Sequence, residues 1–281
     1  MLRMQTIRPA EPPKFVILGA SGRLGQLIRP FWPISNTIWH SRSQLEGYKS
    51  LDLLGSSGEL VEILRGAKSV ICLAGVTPYS KNGSLAQNLL LAEICLNAAK
   101  SAKVGGVFLT STAAVYGKQT AQLDENCPTA PLSDYARAKV EMEDMALQHS
   151  QTSTILRIGN VAGADAILGN WHAKMEIEQL PNKATPKRSY VGPATLARIL
   201  FELASHDELP SILNVAAPDS VHMNELLDNA GLDYATTPAT PQTIADVTLD
   251  TKQLQQYVTF TKEQSLPSSM VAEWKKAVSA G

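Results

Sequence analysis

The chain predicts an α/β fold class, a parallel, doubly wound sheet carrying a smaller C-terminal α/β lobe, and three observations carry the prediction. Short apolar runs alternate with helix-like stretches through the first half, a pattern that implies right-handed β-α-β crossovers. The first run, Phe15-Val-Ile-Leu18, leads straight into Gly19-Ala-Ser-Gly22-Arg-Leu-Gly25. In the second half, prolines from Pro181 to Pro267 cut the chain into short pieces, as in a lobe assembled from separated segments. The organisation expected is a disordered tail over 1–13, a Rossmann core over 14–163 and a lobe over most of 164–281, with about 190–215 returning to the core.

The elements follow in order. Buried strands are expected at Phe15–Leu18, Thr37–Trp39, Ser69–Leu73, Val107–Thr110 and Thr154–Leu156, with helices near 23–32, 58–66, 85–103 and 133–149. Ile212–Val215 reads as a further strand and Asn224–Ala230 as a short helix. The tail carries Arg3 and Arg8 among Pro9, Pro12 and Pro13 but has no long apolar stretch, so disorder is expected there before a targeting signal.

Composition narrows the function classes. A chain of 281 residues, 44% hydrophobic and 18% charged, is ordinary for a soluble enzyme. A formal net charge of −1 leaves no electrostatic footprint for nucleic acid or an anionic membrane. No apolar run approaches the roughly 20 residues of a membrane span. Cys72, Cys95 and Cys127 are scattered, with no C-x-x-C pair, which fits a reducing cytoplasm. The five His residues lack ligand spacing, so no metal is expected.

The glycine segment has the chemistry of a dinucleotide-phosphate cradle. Gly19 permits a tight turn, Gly22 a close backbone approach to a pyrophosphate, and Gly25 close packing of helix on strand. Ser21, Arg23 and Leu24 complete the loop. On the helix expected at 133–149, Tyr135 and Lys139 stand four residues apart and so share a face. A cation there would lower the Tyr pKa from about 10 and make the hydroxyl an acid/base near neutrality. Such a pair also recurs by chance on amphipathic surface helices. Three strand ends shift the balance: Leu73-Ala-Gly-Val76, then Leu109-Thr-Ser-Thr112, then Leu156-Arg-Ile-Gly-Asn160. Each places small or polar residues where ligands bind in open α/β sheets.

With these motifs together, the chain resembles the extended short-chain dehydrogenase/reductases of the NAD-dependent epimerase/dehydratase family, from about Phe15 to the C-terminal region. The resemblance implies that Tyr135 moves the proton, that Lys139 holds the nicotinamide ribose and keeps the Tyr pKa low, and that Thr112 hydrogen-bonds the reacting oxygen beside Ser111. It implies that Asp52 and Leu53 meet the adenine, that Ala74 and Gly75 line the cofactor channel, and that Asn160 reaches a substrate or cofactor polar group. Asn88 has a bracing role or a direct one, and Arg157 a structural one.

Family members that bind NAD end the second strand with a carboxylate. Here Ser41 takes that place and Arg42 follows, a hydroxyl and a guanidinium suited to a 2′-phosphate. NADP is therefore expected ahead of NAD. The segment Arg188-Ser-Tyr-Val-Gly-Pro-Ala-Thr195 departs from the family's pattern: Ser189, Gly192 and Thr195 replace Asp, His and Asp. Arg188 remains a candidate substrate ligand, and a smaller carbonyl compound stands beside a sugar nucleotide as the expected substrate. Net reduction, oxidation and epimerisation share these residues. The competing reading is a catalytically silent NAD(P)-binding regulatory protein. A homodimer is expected through the helices at Ala86–Lys103 and Ser133–His149, the first of which is apolar nearly all round.

Overall fold

Four consecutive buried residues, Phe15–Leu18, demand cover on both faces of their strand. In a computed structural model of the chain, which describes residues 14–280 except 34, 56, 79, 81–82 and 120–121, that strand lies inside a seven-stranded parallel sheet. The tail expected to be disordered, residues 1–13, falls outside the described residues. The first half runs β1 (Lys14–Leu18), α1 (Arg23–Ile28), β2 (Thr37–Ser41), β3 (Lys49–Ser50), α2 (Ser57–Leu64), β4 (Ala67–Cys72), α3 (Gln87–Ala102), β5 (Gly106–Thr112), α4 (Asp134–Gln148) and β6 (Thr154–Ile158). The second half adds β7 (Asn160–Val161), β8 (Glu176–Gln179), β9 (Lys187–Val191), α5 (Pro193–Ser205), β10 (Ile212–Val215), β11 (Ser220–His222), α6 (Met223–Ala230), β12 (Ala235–Pro238), β13 (Asp246–Val247) and α7 (Pro267–Ser279).

The main sheet has the order β3-β2-β1-β4-β5-β6-β10, every neighbour parallel. Strand order reverses between β1 and β4, which opens a crevice at their carboxyl ends. Alternate residues of each strand feed the two faces. Val16, Leu18 and Val70 pack with Ala92, Leu96 and Ala99 of α3. Phe15, Ile71 and Phe108 pack with Ile199, Leu200 and Leu203 of α5.

Two boundaries differ from expectation. The first helix stops at Ile28 and passes into a 3₁₀ turn over Arg29–Phe31, because Pro30 has no amide proton to continue the ladder. The second strand runs on to Ser41, since His40 and Ser41 are buried and pair with Lys49 and Ser50 of β3.

In the second half, β10 is an edge strand of the main sheet, α5 covers one of its faces, and the smaller lobe is built on β9. That strand pairs with β7, β11 and β13, while β8 and β12 pair separately. Thr195, where the family pattern has Asp, stands in the first turn of α5; its amide and hydroxyl donate to the Glu273 carboxylate of α7 at 2.9 and 2.8 Å. A carboxylate 78 residues away in sequence thus meets this segment. Trp274 of the same helix covers Gly163, where a Cβ would lie 2.1 Å from its ring.

Candidate active site

The glycine turn is shaped by contacts that exclude any side chain. Gly19 has φ +71°, and a Cβ there would lie 2.5 Å from the Ala74 backbone. The Gly22 amide donates to the Gly19 carbonyl at 3.0 Å and opens α1. A Cβ on Gly25 would meet the Ala20 carbonyl oxygen at 2.2 Å. The turn lies at one wall of a cavity of about 610 Å³ over the carboxyl ends of the central strands. Gly19, Gly22, Gly25, Arg23, Leu24 and Gly75 line it on the side of the turn, and Thr112, Tyr135, Lys139 and Asn160 line it further on. Bare glycine backbone beside a helix start is what a pyrophosphate requires, so these residues fit a dinucleotide.

On α4, Ser133 caps the first turn by accepting from the Ala136 amide at 3.2 Å. That start orients Tyr135 and Lys139, one turn apart, toward the cavity. Lys139 is buried, and its ammonium donates to the Thr110 carbonyl at 2.8 Å. Burial pulls its pKa down to about 8. Burial also pushes the Tyr135 hydroxyl up to about 12, with no charged neighbour to offset it. This corrects the expectation of a Tyr pKa lowered by Lys139: the ammonium is held by the strand carbonyl. Thr112 Oγ1 accepts from the Ala114 amide at 3.2 Å, which leaves its hydroxyl proton free to donate.

Beneath these residues runs a buried network. Arg157 grips Glu143 at 2.7 and 3.1 Å, with side chains 5% and 2% exposed. It also donates at 3.0 Å to the Tyr116 hydroxyl, which donates to Asn214 at 2.8 Å. The Ser111 hydroxyl donates to Glu143. Although Ser111 borders the cavity, its hydroxyl is engaged by the network while Thr112 is the free donor. Asn88 braces the loop after β4, bonding Val76 amide and carbonyl and the Leu85 carbonyl at 2.9–3.0 Å.

The adenine-end candidates sit apart from the cavity lining. Ser41 closes β2 and accepts from the Ser43 amide at 3.1 Å, while Arg42 is exposed beside it. Asp52 is exposed and accepts from the Leu54 amide at 3.1 Å; Leu53 is buried. Ser21 lies in the glycine turn and Ala74 against Gly19, neither in the cavity wall. Arg188 is not brought to the cavity: its guanidinium donates at 2.7 Å to the carbonyls of Lys187 and Ile244. Its strand carries it into the lobe sheet, where those carbonyls satisfy it. Among the described residues no cluster of three or more His, Cys, Asp or Glu could hold a metal. Among them, too, no helix is long and apolar enough to cross a membrane.

Sequence reasoning missed His40, Glu143 and Asn170. The His40 Nδ1 accepts the Gly19 amide at 3.0 Å. Asn170 of the lobe accepts from Arg23 at 2.9 Å. Only Glu143 had a signal in the sequence, standing four residues beyond Lys139 on the same helix face.

A model of the NAD dependent epimerase/dehydratase family matches residues 15–216. UDP-glucose 4-epimerase from Azospirillum brasilense is 38% identical over 92 residues, which is 31% of this chain and 25% of that one. The chain thus matches only a quarter of that relative's length. Among solved structures, MoeE5 in complex with UDP-glucose and NAD superposes with a TM-score of 0.74 at 21% identity, covering 94% of this chain and 99% of that one. UDP-glucuronic acid 4-epimerase from Bacillus cereus, in complex with UDP-glucuronic acid and NAD, gives 0.72 at 16% identity, covering 95% and 100%. At these identities the structures establish a shared fold.

Proposed function

The chain belongs to the NAD dependent epimerase/dehydratase family, and on that premise we propose that it is an NAD(P)-dependent oxidoreductase or epimerase acting on a sugar nucleotide or a smaller carbonyl or hydroxyl compound. The observation that carries this is one cavity bordered by the glycine turn at one end and by Thr112, Tyr135 and Lys139 at the other. A nicotinamide dinucleotide supplies the hydride chemistry; the chain supplies binding, orientation and the proton. Tyr135, held protonated by burial, is the donor to a substrate oxygen during carbonyl reduction. Thr112 donates a second hydrogen bond to the same oxygen. Lys139 is the nearby cation that favours the resulting phenolate once a ligand draws it from the Thr110 carbonyl.

We assign NADP the preference over NAD, supported by Ser41 and exposed Arg42 where a carboxylate would otherwise end β2. The roles of Ser21, Asp52, Leu53 and Ala74 toward the cofactor, and of Ser111 and Asn160 toward substrate, rest on the family resemblance. A homodimer through α3 and α4 is supported by Leu90 and Leu147, 43% and 48% exposed on these two helices, which pack side by side. Light scattering at micromolar concentration tests it, and a monomer mass removes it. Three free cysteines support a cytoplasmic setting.

The test is a panel of sugar nucleotides and simple ketones, with NADPH absorbance followed for reduction and product analysis for epimerisation. Turnover of one class carries the proposal. Tight dinucleotide binding without turnover of any favours the silent regulatory protein.

A further inference from the structure

His40, the next-to-last residue of β2, has 2% of its surface exposed, and both ring nitrogens are engaged. Nδ1 lies 3.0 Å from the Gly19 amide nitrogen. That amide can only donate, so Nδ1 carries no proton. Nε2 lies 2.8 Å from the Leu51 carbonyl oxygen, which can only accept, so Nε2 carries one. The geometry admits a single form, the neutral Nε2–H imidazole. The His40 carbonyl accepts the next amide, Ala20, at 2.8 Å. One residue thus ties the left-handed Gly19 turn to the segment Leu51-Asp52-Leu53.

We propose that His40 is a positioning residue for the dinucleotide site, holding the Gly19 turn and the Asp52-Leu53 segment in place only while its ring is uncharged. The proposal rests on the dinucleotide function argued above. An imidazolium would turn an N–H against the Gly19 N–H, and the turn has no room to adjust, because Ala74 fills the space beside Gly19. Burial lowers the ring's affinity for a proton, outweighing the Leu51 carbonyl and the Asp52 charge, which favour protonation. The other charged groups on the surrounding elements are exposed: Arg42 on its own strand, Arg23 on α1, and Lys49, which pairs with Glu59 at 3.4 Å. The cradle is therefore intact at neutral pH and fails only where the ring takes up a proton, at a pH below the ordinary imidazole value of 6.5.

The test combines two readouts on the full chain. Nitrogen NMR of the ligand-free protein reads the His40 ring directly; the expected result at pH 7.5 is a proton on Nε2 and none on Nδ1. Calorimetry with NAD⁺, whose pyrophosphate does not titrate in this range, gives Kd between pH 8 and 5. For the wild type, Kd is flat at the upper end and then rises about tenfold per pH unit below the ring's pKa. His40→Asn, which offers an untitratable oxygen near the Nδ1 position, keeps the affinity within a few-fold at pH 7.5 and abolishes the pH dependence. His40→Phe weakens binding at least tenfold at every pH. A proton on Nδ1 at pH 7.5, a flat wild-type Kd while the ring titrates, or an unchanged pH profile in His40→Asn would each overturn the role of His40. Absence of NAD⁺ and NADP⁺ binding at all pH values would instead overturn the functional reading, and the role of His40 with it.

Discussion

Replacing Lys139 by Met should make the protein more stable while removing its function. The ammonium is buried against a strand carbonyl, with its pKa pulled from 10.5 to about 8. At about 1.4 kcal/mol per unit, holding the charge in the folded state costs about 3 kcal/mol. Loss of the bond to the Thr110 carbonyl returns about 1 kcal/mol of this, so a net gain of about 1–3 kcal/mol is expected at pH 7. A thioether fits the site, which already has Met142 sulfur 3.9 Å from the ammonium. The sign follows from linkage: between pH 8 and 10.5 the unfolded chain holds the Lys139 proton and the folded one does not, so wild-type stability rises with pH there. The advantage of Lys139→Met is therefore complete below pH 8 and shrinks by about 2 kcal/mol between pH 7 and 10. Urea unfolding of both proteins at the two pH values measures it. A less stable variant at pH 7, or a gap unchanged at pH 10, would refute the reasoning.

Three further outcomes are expected. Gly19→Ala places a methyl 2.5 Å from the Ala74 backbone at φ +71°, so dinucleotide binding by calorimetry falls at least tenfold, and stability by roughly 1–3 kcal/mol. Glu143→Ala leaves Arg157 buried without its carboxylate and costs about 3–5 kcal/mol in denaturant unfolding; a loss under 1 kcal/mol would mean that Arg157 finds water. Arg42→Ala weakens NADPH about tenfold, as expected of one lost charge-assisted contact, and leaves NADH nearly unchanged by fluorescence titration; equal losses for both would count against the NADP assignment.

The parallel sheet was legible because strands covered on both faces read as unbroken apolar runs, and Phe15–Leu18 is one of them. Tyr135 and Lys139 were legible because helical spacing alone puts them on one face. Strand alternation also separates Thr112 from Ser111, which turns to Glu143. What stayed hidden depends on contacts distant in sequence. His40 reaches Gly19 and Leu51, 21 and 11 residues away, from a strand whose pattern gives a histidine no special mark. Glu273 supplies the carboxylate at Thr195 across 78 residues. Arg188 looked like a free cation because two backbone carbonyls leave no trace in a sequence. The Tyr135 pKa went the other way because burial of its hydroxyl raises it, and the depth of a side chain in a folded cleft is not written in helical spacing.

The central claim is that Tyr135 moves the proton in a cavity whose glycine turn, at the other end, carries the dinucleotide phosphates. It is tested most directly by Tyr135→Phe, assayed for turnover of a substrate found by the panel and, in parallel, for cofactor Kd. Removal of the hydroxyl from a wall that the glycine turn does not share should lower kcat at least a hundredfold, within the range of general acid catalysis, and leave Kd within about twofold. Full turnover by the phenylalanine variant would contradict the account.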